Sequence, residues 1–374
     1  MSSQHPPITT NSRLFRSSAN SSSRAKVDFL QNRLDILKHV RSFLRTRLTC
    51  DAIRHYIDQR LGSGKYGSVY KIKGRDPGFI ELSKMFGDLG IAIKPLRLTG
   101  PTVPPTNVRD NHVNVPKPLV ELFMLMLMSE ITEKGQFPHF PLVYSVSLCG
   151  TSSGVNNNFR SLAHGRGKPD IALVFTELAR GDLATWLGNS RHSNEAISSA
   201  IFQCVMALFA FKTLGFTHND AHAGNFLYHS VPPGGYWHYK LSGKDIYVKN
   251  CGHQFVLWDP MFASVAKPSV VNNNGDFWRL SQAIVHLLGY NRHAVKILDT
   301  FLNRGVKLPD TFFDWIKHLD QASLDEIRVG NDRAPARQQI LNRKPYRVYS
   351  NPFAQNNGTA NKAFARLLQV YSGA

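Results

Sequence analysis

The stretch THNDAHAGNFLYH, residues 217–229, places Asp220 between His218 and His222, with Asn225 five positions after the aspartate. A strongly apolar run, AISSAIFQCVMALFAFKTLG (196–215), leads into it and reads as a buried helix. The spacing H-x-D-x-x-x-x-N suits a loop in which Asp220 accepts the proton of an attacking hydroxyl. Asn225 would then hold a divalent cation through its amide oxygen. His218 is expected to orient the loop, and His222 to sit near the transferring group. The bland alternative is a surface loop that happens to carry two histidines and an acid, so the rest of the chain has to decide.

Downstream, QFVLWDPM (254–261) is an apolar strand that ends at Asp259. An aspartate emerging from a buried strand needs a compensating partner, and a dication is one. Asp276, in NGDFWRL (274–280), is either a plain helix cap or a brace that accepts backbone N–H bonds from the loop at 218–220. Bracing is the favoured reading.

Upstream, HYIDQRLGSGKYGSVYKI (55–72) sets Leu61, Gly62, Gly64, Gly67 and Val69 in a G-x-G-x-x-G-x-V pattern. Glycines let backbone N–H groups approach phosphates without a Cβ in the way. A dinucleotide fingerprint of similar spacing opens a helix, whereas this turn opens a second strand, as in a hairpin flap over a nucleotide. Lys94 ends the strand-like run IAIK (91–94), where it can reach phosphates if a helix carboxylate holds it. LVELFMLMLMSEITEKG (119–135) is that helix and offers Glu121 or Glu130. Glu121, at its start and beside an apolar face, is preferred; Glu130 lies among Glu133 and Lys134, a pattern natural to a solvated face. IALVFTEL (171–178) reads as a buried strand, and GDLATWLGN (181–189) opens a helix at Asp182.

Gly loop, strand lysine, helix glutamate, apolar strand, HxD…N, strand-end aspartate and helix aspartate occur in that order. Their conjunction over about residues 55–300 resembles the protein-kinase superfamily. The runs PHFPLVYS (138–145), HNDAHAGNFLYH (218–229) and GGYWHYKLSGKDIYVKNCGHQFVLWD (234–259) resemble the Ser/Thr protein kinases of large double-stranded DNA viruses. The resemblance implies a two-lobed α+β fold, ATP with Mg²⁺ (or Mn²⁺), and transfer to Ser or Thr hydroxyls of a protein substrate. It makes Glu177–Ala179 the hinge that reads adenine, puts Phe175 or Thr176 at the back pocket and Asp182 near the ribose, and favours Glu121 as the partner of Lys94. Three features depart from it. Asp259-Pro260-Met261 stands where Asp-Phe-Gly is usual. Only sixteen residues lie between Asp259 and Asp276, with no Ala-Pro-Glu, which is short for control by loop phosphorylation. His222 replaces the usual lysine, as in kinases of aminoglycosides or choline. A small-molecule kinase is therefore the alternative, and a scaffold that binds nucleic acid is a third.

The chain has 374 residues, 42% of them hydrophobic, and a formal charge of +19. Residues 1–50 carry nine Lys/Arg against Asp28 and Asp35, and residues 328–374 carry eight against Asp332, so the basic character belongs to the ends. Such ends invite nucleic acid or an acidic partner. The expected organisation is a Ser/Arg-rich disordered arm (1–25), a basic amphipathic helix (26–54), an N-lobe with hinge (55–180), a C-lobe (181–327) and a basic tail (328–374). Leu30, Leu34, Leu37, Val40, Leu44 and Leu48 make one face of that helix, which is expected to pack on the following domain, with Arg33, Arg41, Arg45 and Arg47 falling largely between. Cys50, Cys149, Cys204 and Cys251 are far apart, so neither disulfide nor metal site is expected. A reducing location in host cytoplasm or virion, a monomer, and no membrane-spanning run complete the expectations.

Overall fold

A computed structural model describes residues 29–347, apart from short stretches of which the longest are 104–114, 152–161, 164–170, 266–274 and 320–326. The expected disordered arm, most of the expected tail and the centre of the segment between Asp259 and Asp276 lie outside the described residues. The first lobe opens with α1 (Phe29–Arg47), then the hairpin β1 (Ile57–Gly64) and β2 (Gly67–Ile72), α2 (Pro77–Met85) and β3 (Ile91–Arg97). A short pair, β4 (Thr102–Val103) and β5 (Val115–Pro116), precedes α3 (Lys117–Glu133). After it come β6 (Val143–Thr151), β7 (Leu162–Ala163) and β8 (Ile171–Glu177). β1-β2-β3-β8-β6-β7 form one antiparallel sheet.

The two-residue period of the strands sorts this sheet into two buried faces. Ile91 and Ile93 of β3, with Leu173 and Phe175 of β8, pack against Leu37, Val40, Phe43 and Leu44 of α1. Leu96, Ala172 and Val174 point the other way and pack against Leu122 and Leu125 of α3. β3 and β8 therefore read as near-continuous apolar runs because a helix covers each face. Lys94 shares the parity of Leu96 and so points toward α3. α1 does pack on the domain, as expected, but Arg33 is not on its solvated side: it is 5% exposed.

The second lobe holds β9 (Gly181–Asp182), α4 (Leu183–Asn189), α5 (Asn194–Thr213), β10 (Phe216–Thr217) and β11 (Phe226–Ser230). Next come β12 (Tyr236–Leu241), β13 (Lys244–Lys249), β14 (His253–Leu257) and β15 (Ser264–Val265). α6 (Gly275–Leu287), α7 (Arg292–Leu302), α8 (Phe312–Ile316) and β16 (Ile327–Val329) complete it. α5 is long and apolar enough to cross a membrane, contrary to the expectation that no run is, but 83% of its apolar window is buried inside the molecule. Its surroundings are Phe277, Phe301, Phe312 and Trp315 of the following helices, and it is the core helix of this lobe.

Two expectations are corrected. The basic segment after residue 327 is not a free tail at its start. β16 pairs with β13, Asn342 is buried and bonds both the N–H and the carbonyl of His238, and the buried Tyr346 bridges to Tyr239. Backbone pairing and two buried side chains outweigh the solvation of scattered arginines over 328–347. Second, Cys50 and Cys149 form a disulfide. Folding α1 onto the sheet brings the residue that follows it against β6, which a separation of 99 residues conceals in the sequence.

Candidate active site

The lobes meet at a cleft of about 820 Å³. Its roof is Leu61, Gly62 and Val69 from the β1–β2 hairpin, whose innermost register pair is Gly64 and Gly67. Ala92 and Lys94 of β3 form one wall, and residues 176–182 form the connection between lobes along its edge. Thr176 faces the cleft, whereas Phe175 points into the core under α1. Leu227 and Met261 lie at the floor. Asp182 also lines the cleft and caps α4, its Oδ1 accepting from Thr185 N–H at 2.7 Å.

Lys94 bridges two carboxylates: its Nζ lies 2.5 Å from Glu121 Oε1 and 2.9 Å from Asp259 Oδ1. Glu130 instead pairs with Lys134 on the exposed face of α3. Burial works against the charge on Lys94, but Glu121 and Asp259 more than offset it and hold the ammonium above its ordinary range. Burial pushes the Glu121 carboxyl up, with Lys94 opposing. Asp259 is held below the usual carboxylate range because Lys94 outweighs its own burial. Glu121 Oε2 is buried without a hydrogen-bond partner among the described residues. A buried polar atom left in that state is costly.

Asn225 and Asp259 stand just beyond the paired ends of β11 and β14, where Phe226 faces Leu257 and Trp258 N–H donates to the Asn225 carbonyl at 2.8 Å. Asn225 Nδ2 donates to the Asp220 carbonyl at 2.8 Å, which assigns its side-chain oxygen to the other side. His218 Nε2 donates to the Trp258 carbonyl at 2.9 Å, tying the loop to the strand that delivers Asp259. Burial holds His218 below its ordinary pKa, so it serves as a neutral donor. Asp276 is the brace: it accepts from the backbone N–H of His218 at 2.8 Å, of Asn219 at 3.0 Å and of Ala221 at 3.4 Å.

Two non-glycine residues at the site, Asn219 (φ 66°) and Asp259 (φ 53°), hold left-handed backbone conformations. Each costs on the order of 1 kcal/mol and persists only where the surroundings enforce it. Asn219 is fixed by bonds from its side-chain amide to the Phe262 carbonyl and Ser264 Oγ, both at 2.8 Å. The segment after Asp259 is thus fastened to the loop, and β15 pairs with β10 beside it.

His222 Nδ1 accepts from Gly224 N–H at 3.1 Å, so the neutral ring carries its proton on Nε2, 3.8 Å from Asp220 Oδ2. A Cβ on Gly224 would press on the His222 ring at 3.0 Å, which explains the glycine. Asp220 has a partner that the sequence does not announce. Arg279 of α6 donates from one nitrogen to Asp220 Oδ1 at 3.0 Å and to the Asn219 carbonyl at 2.8 Å. Its only sequence signal is its place three residues after Asp276, one helical turn along the face that meets the loop.

No protein-family model matches the chain. It is 29% identical over 218 residues, 57% of its length, to a Frog virus 3 (isolate Goorha) protein named "Putative serine/threonine-protein kinase 019R", and the match takes in 24% of that protein. Among solved structures, that of "A divergent kinase lacking the glycine-rich loop regulates membrane ultrastructure of the Toxoplasma parasitophorous vacuole" aligns with 69% of this chain and 82% of its own at 16% identity and a TM-score of 0.39. "WaaP in complex with acyl carrier protein" aligns with 70% and 85% at 14% identity and the same TM-score. Over part of its length the chain is thus similar to a protein named as a kinase, and it sets a β-rich lobe over a mainly helical one, with a lysine–glutamate pair meeting the HxD…N loop and Asp259 in the cleft between.

Proposed function

We propose that the chain transfers the γ-phosphoryl group of ATP to Ser or Thr hydroxyls of proteins. The observation that carries this reading is the double contact of Lys94 with Glu121 and Asp259, in the same cleft as Asp220. A lysine held charged by two carboxylates is preorganised for the phosphates of a nucleotide, and the cleft volume suits one. Asn225 and Asp259 offer a hard oxygen pair, which fits Mg²⁺ or Mn²⁺, since Mg²⁺ takes few protein ligands and completes its shell with water and phosphate. When bound there, the cation supplies charge neutralisation on the transferring phosphoryl group. Gly62 lets the roof approach the phosphates. Asp220 orients the acceptor hydroxyl and takes its proton, and His222 presents its Nε2 proton beside it.

A small-molecule acceptor is the second reading, favoured by His222 in place of lysine and by the short segment after Asp259. One assay separates the two. Purified chain is given labelled ATP with a mixed protein substrate and, separately, with a panel of hydroxylated metabolites, beside Asp220→Ala. The proposal expects label in protein with wild type and a loss of at least about 100-fold with Asp220→Ala. Label only in metabolites would replace it with the second reading. Equal protein labelling by both chains would refute it.

A further inference from the structure

The helix that precedes the two-lobed fold reaches its nucleotide site. Arg33 of α1 is buried, and every nitrogen of its guanidinium is used. Nε donates to Glu177 Oε2 at 2.8 Å, Nη1 to the Pro138 carbonyl at 2.7 Å, and Nη2 to the Phe140 carbonyl at 2.9 Å and to Glu177 Oε1. Glu177 is the last residue of β8 and the first of the connection between lobes. By strand parity its side chain lies on the α1 side of the sheet with Leu173 and Phe175, while the residue itself lines the cleft. The same carboxylate accepts from Leu142 N–H at 3.2 Å, and His229 Nε2 stands 3.7 Å away. A forked two-point grip of this kind fixes orientation as well as position. Burial alone would raise the Glu177 carboxyl, yet Arg33 and His229 bring it down to about 2, in keeping with a fully ionised partner.

We propose that Arg33 is a positioning residue for nucleotide binding, and that α1 is a working part of the ATP site rather than an appendage. This rests on the kinase reading above. Adenine would be read by the backbone at 177–179, and that backbone is aimed by a side chain gripped from behind. Without Arg33, Glu177 is a buried carboxylate lacking its main partner. Its backbone must then shift to bring the carboxylate toward water, or the group must take up a proton; the first outcome misplaces the adenine contacts. The chemistry at Asp220 lies on the other lobe and is untouched.

The test is ADP and ATP binding to the full chain by calorimetry, with steady-state kinetics, for wild type, Arg33→Gln, Arg33→Lys and Arg41→Gln. Arg41 is the control, because it ties α1 to Glu133 and to the Val143 and Tyr144 carbonyls, away from the cleft. Arg33→Gln is expected to weaken both nucleotides about 10-fold and raise KM for ATP equally, with kcat changed less than about 3-fold. Arg33→Lys should fall between, since it keeps the charge without the fork. Arg41→Gln should lower Tm while leaving nucleotide affinity within about 2-fold. Should the Gln variant not fold, Arg33→Lys against Arg41→Gln decides. Nucleotide affinity unchanged in the folded Arg33 variants, or weakened as much by Arg41→Gln, overturns the proposal while leaving the kinase reading intact. A wild-type chain that binds no nucleotide overturns both.

Discussion

At the scale of single residues, the site is a set of short bonds that each remove one freedom from Asp220 and its neighbours. Asp276 holds the loop backbone, Asn225 holds the Asp220 carbonyl, and Arg279 holds one carboxylate oxygen, leaving Oδ2 toward His222. Arg279 is half exposed, so its ion pair contributes little to stability. On the proposed mechanism its value lies in fixing Asp220. Arg279→Ala should therefore lower kcat about 10-fold with KM for ATP unchanged, and Arg279→Lys should restore part of it; kinetics at saturating ATP check both. A fall in nucleotide affinity with kcat intact would contradict this role. The loop was legible in the sequence because its working residues are near neighbours at a fixed spacing. Glu121 was legible because helix periodicity distinguishes a buried start from a solvated end. Arg279 was not, since an arginine on an amphipathic helix looks solvated until the loop it faces is placed.

At the scale of elements, the decisive contacts join segments far apart in the chain. α1 was legible as amphipathic from its leucine spacing, but the sequence could not say that its apolar face seals one side of a sheet whose other side belongs to α3. Arg33 and the Cys50–Cys149 bond were hidden for the same reason. α2, α7 and α8 also went unread; α8 is too short for periodicity to show. His139 is a further pin, joining the turn after α3 to β12 and β14: it bonds the Phe255 carbonyl and the Tyr239 hydroxyl, both at 2.7 Å. Burial lowers it from 6.5 to about 3. Above pH 6.5 the folded and unfolded chains are alike at this group. Below it the unfolded chain takes a proton that the folded chain refuses, so stability falls as pH drops from 6.5 toward 3. The slope is about 1.4 kcal/mol per pH unit for one proton. His218, lowered by burial too, adds in the same direction. Denaturant unfolding at pH 7 and pH 5 should show this loss, and His139→Gln, though less stable at pH 7, should lose less between the two. An equal loss in both chains would mean that His139 is not the titrating group.

At the scale of the whole molecule, the two-lobed α+β plan was the one that the resemblance in sequence implies, and its cleft gathers residues drawn from across about two hundred positions, from Leu61 to Phe262. The surplus charge lies elsewhere. Of the basic ends, residues 328–347 turn out to be built into the second lobe through β16, Asn342 and Tyr346, because backbone pairing is invisible to composition. We propose that residues 1–28 and 348–374 bind nucleic acid through phosphate contacts. Affinity for a random duplex should then fall steeply with salt, and deletion of both segments should abolish binding while phosphoryl transfer persists. Binding that survives the deletion would assign it to the folded lobes. The central claim is that Asp220 drives phosphoryl transfer from ATP to protein hydroxyls, and mass-spectrometric mapping of phosphosites made by wild type and Asp220→Ala side by side tests it most directly. The account predicts phosphoserine or phosphothreonine on protein substrate with wild type and none with Asp220→Ala; the same sites in both, or none in either with active nucleotide binding, would contradict it.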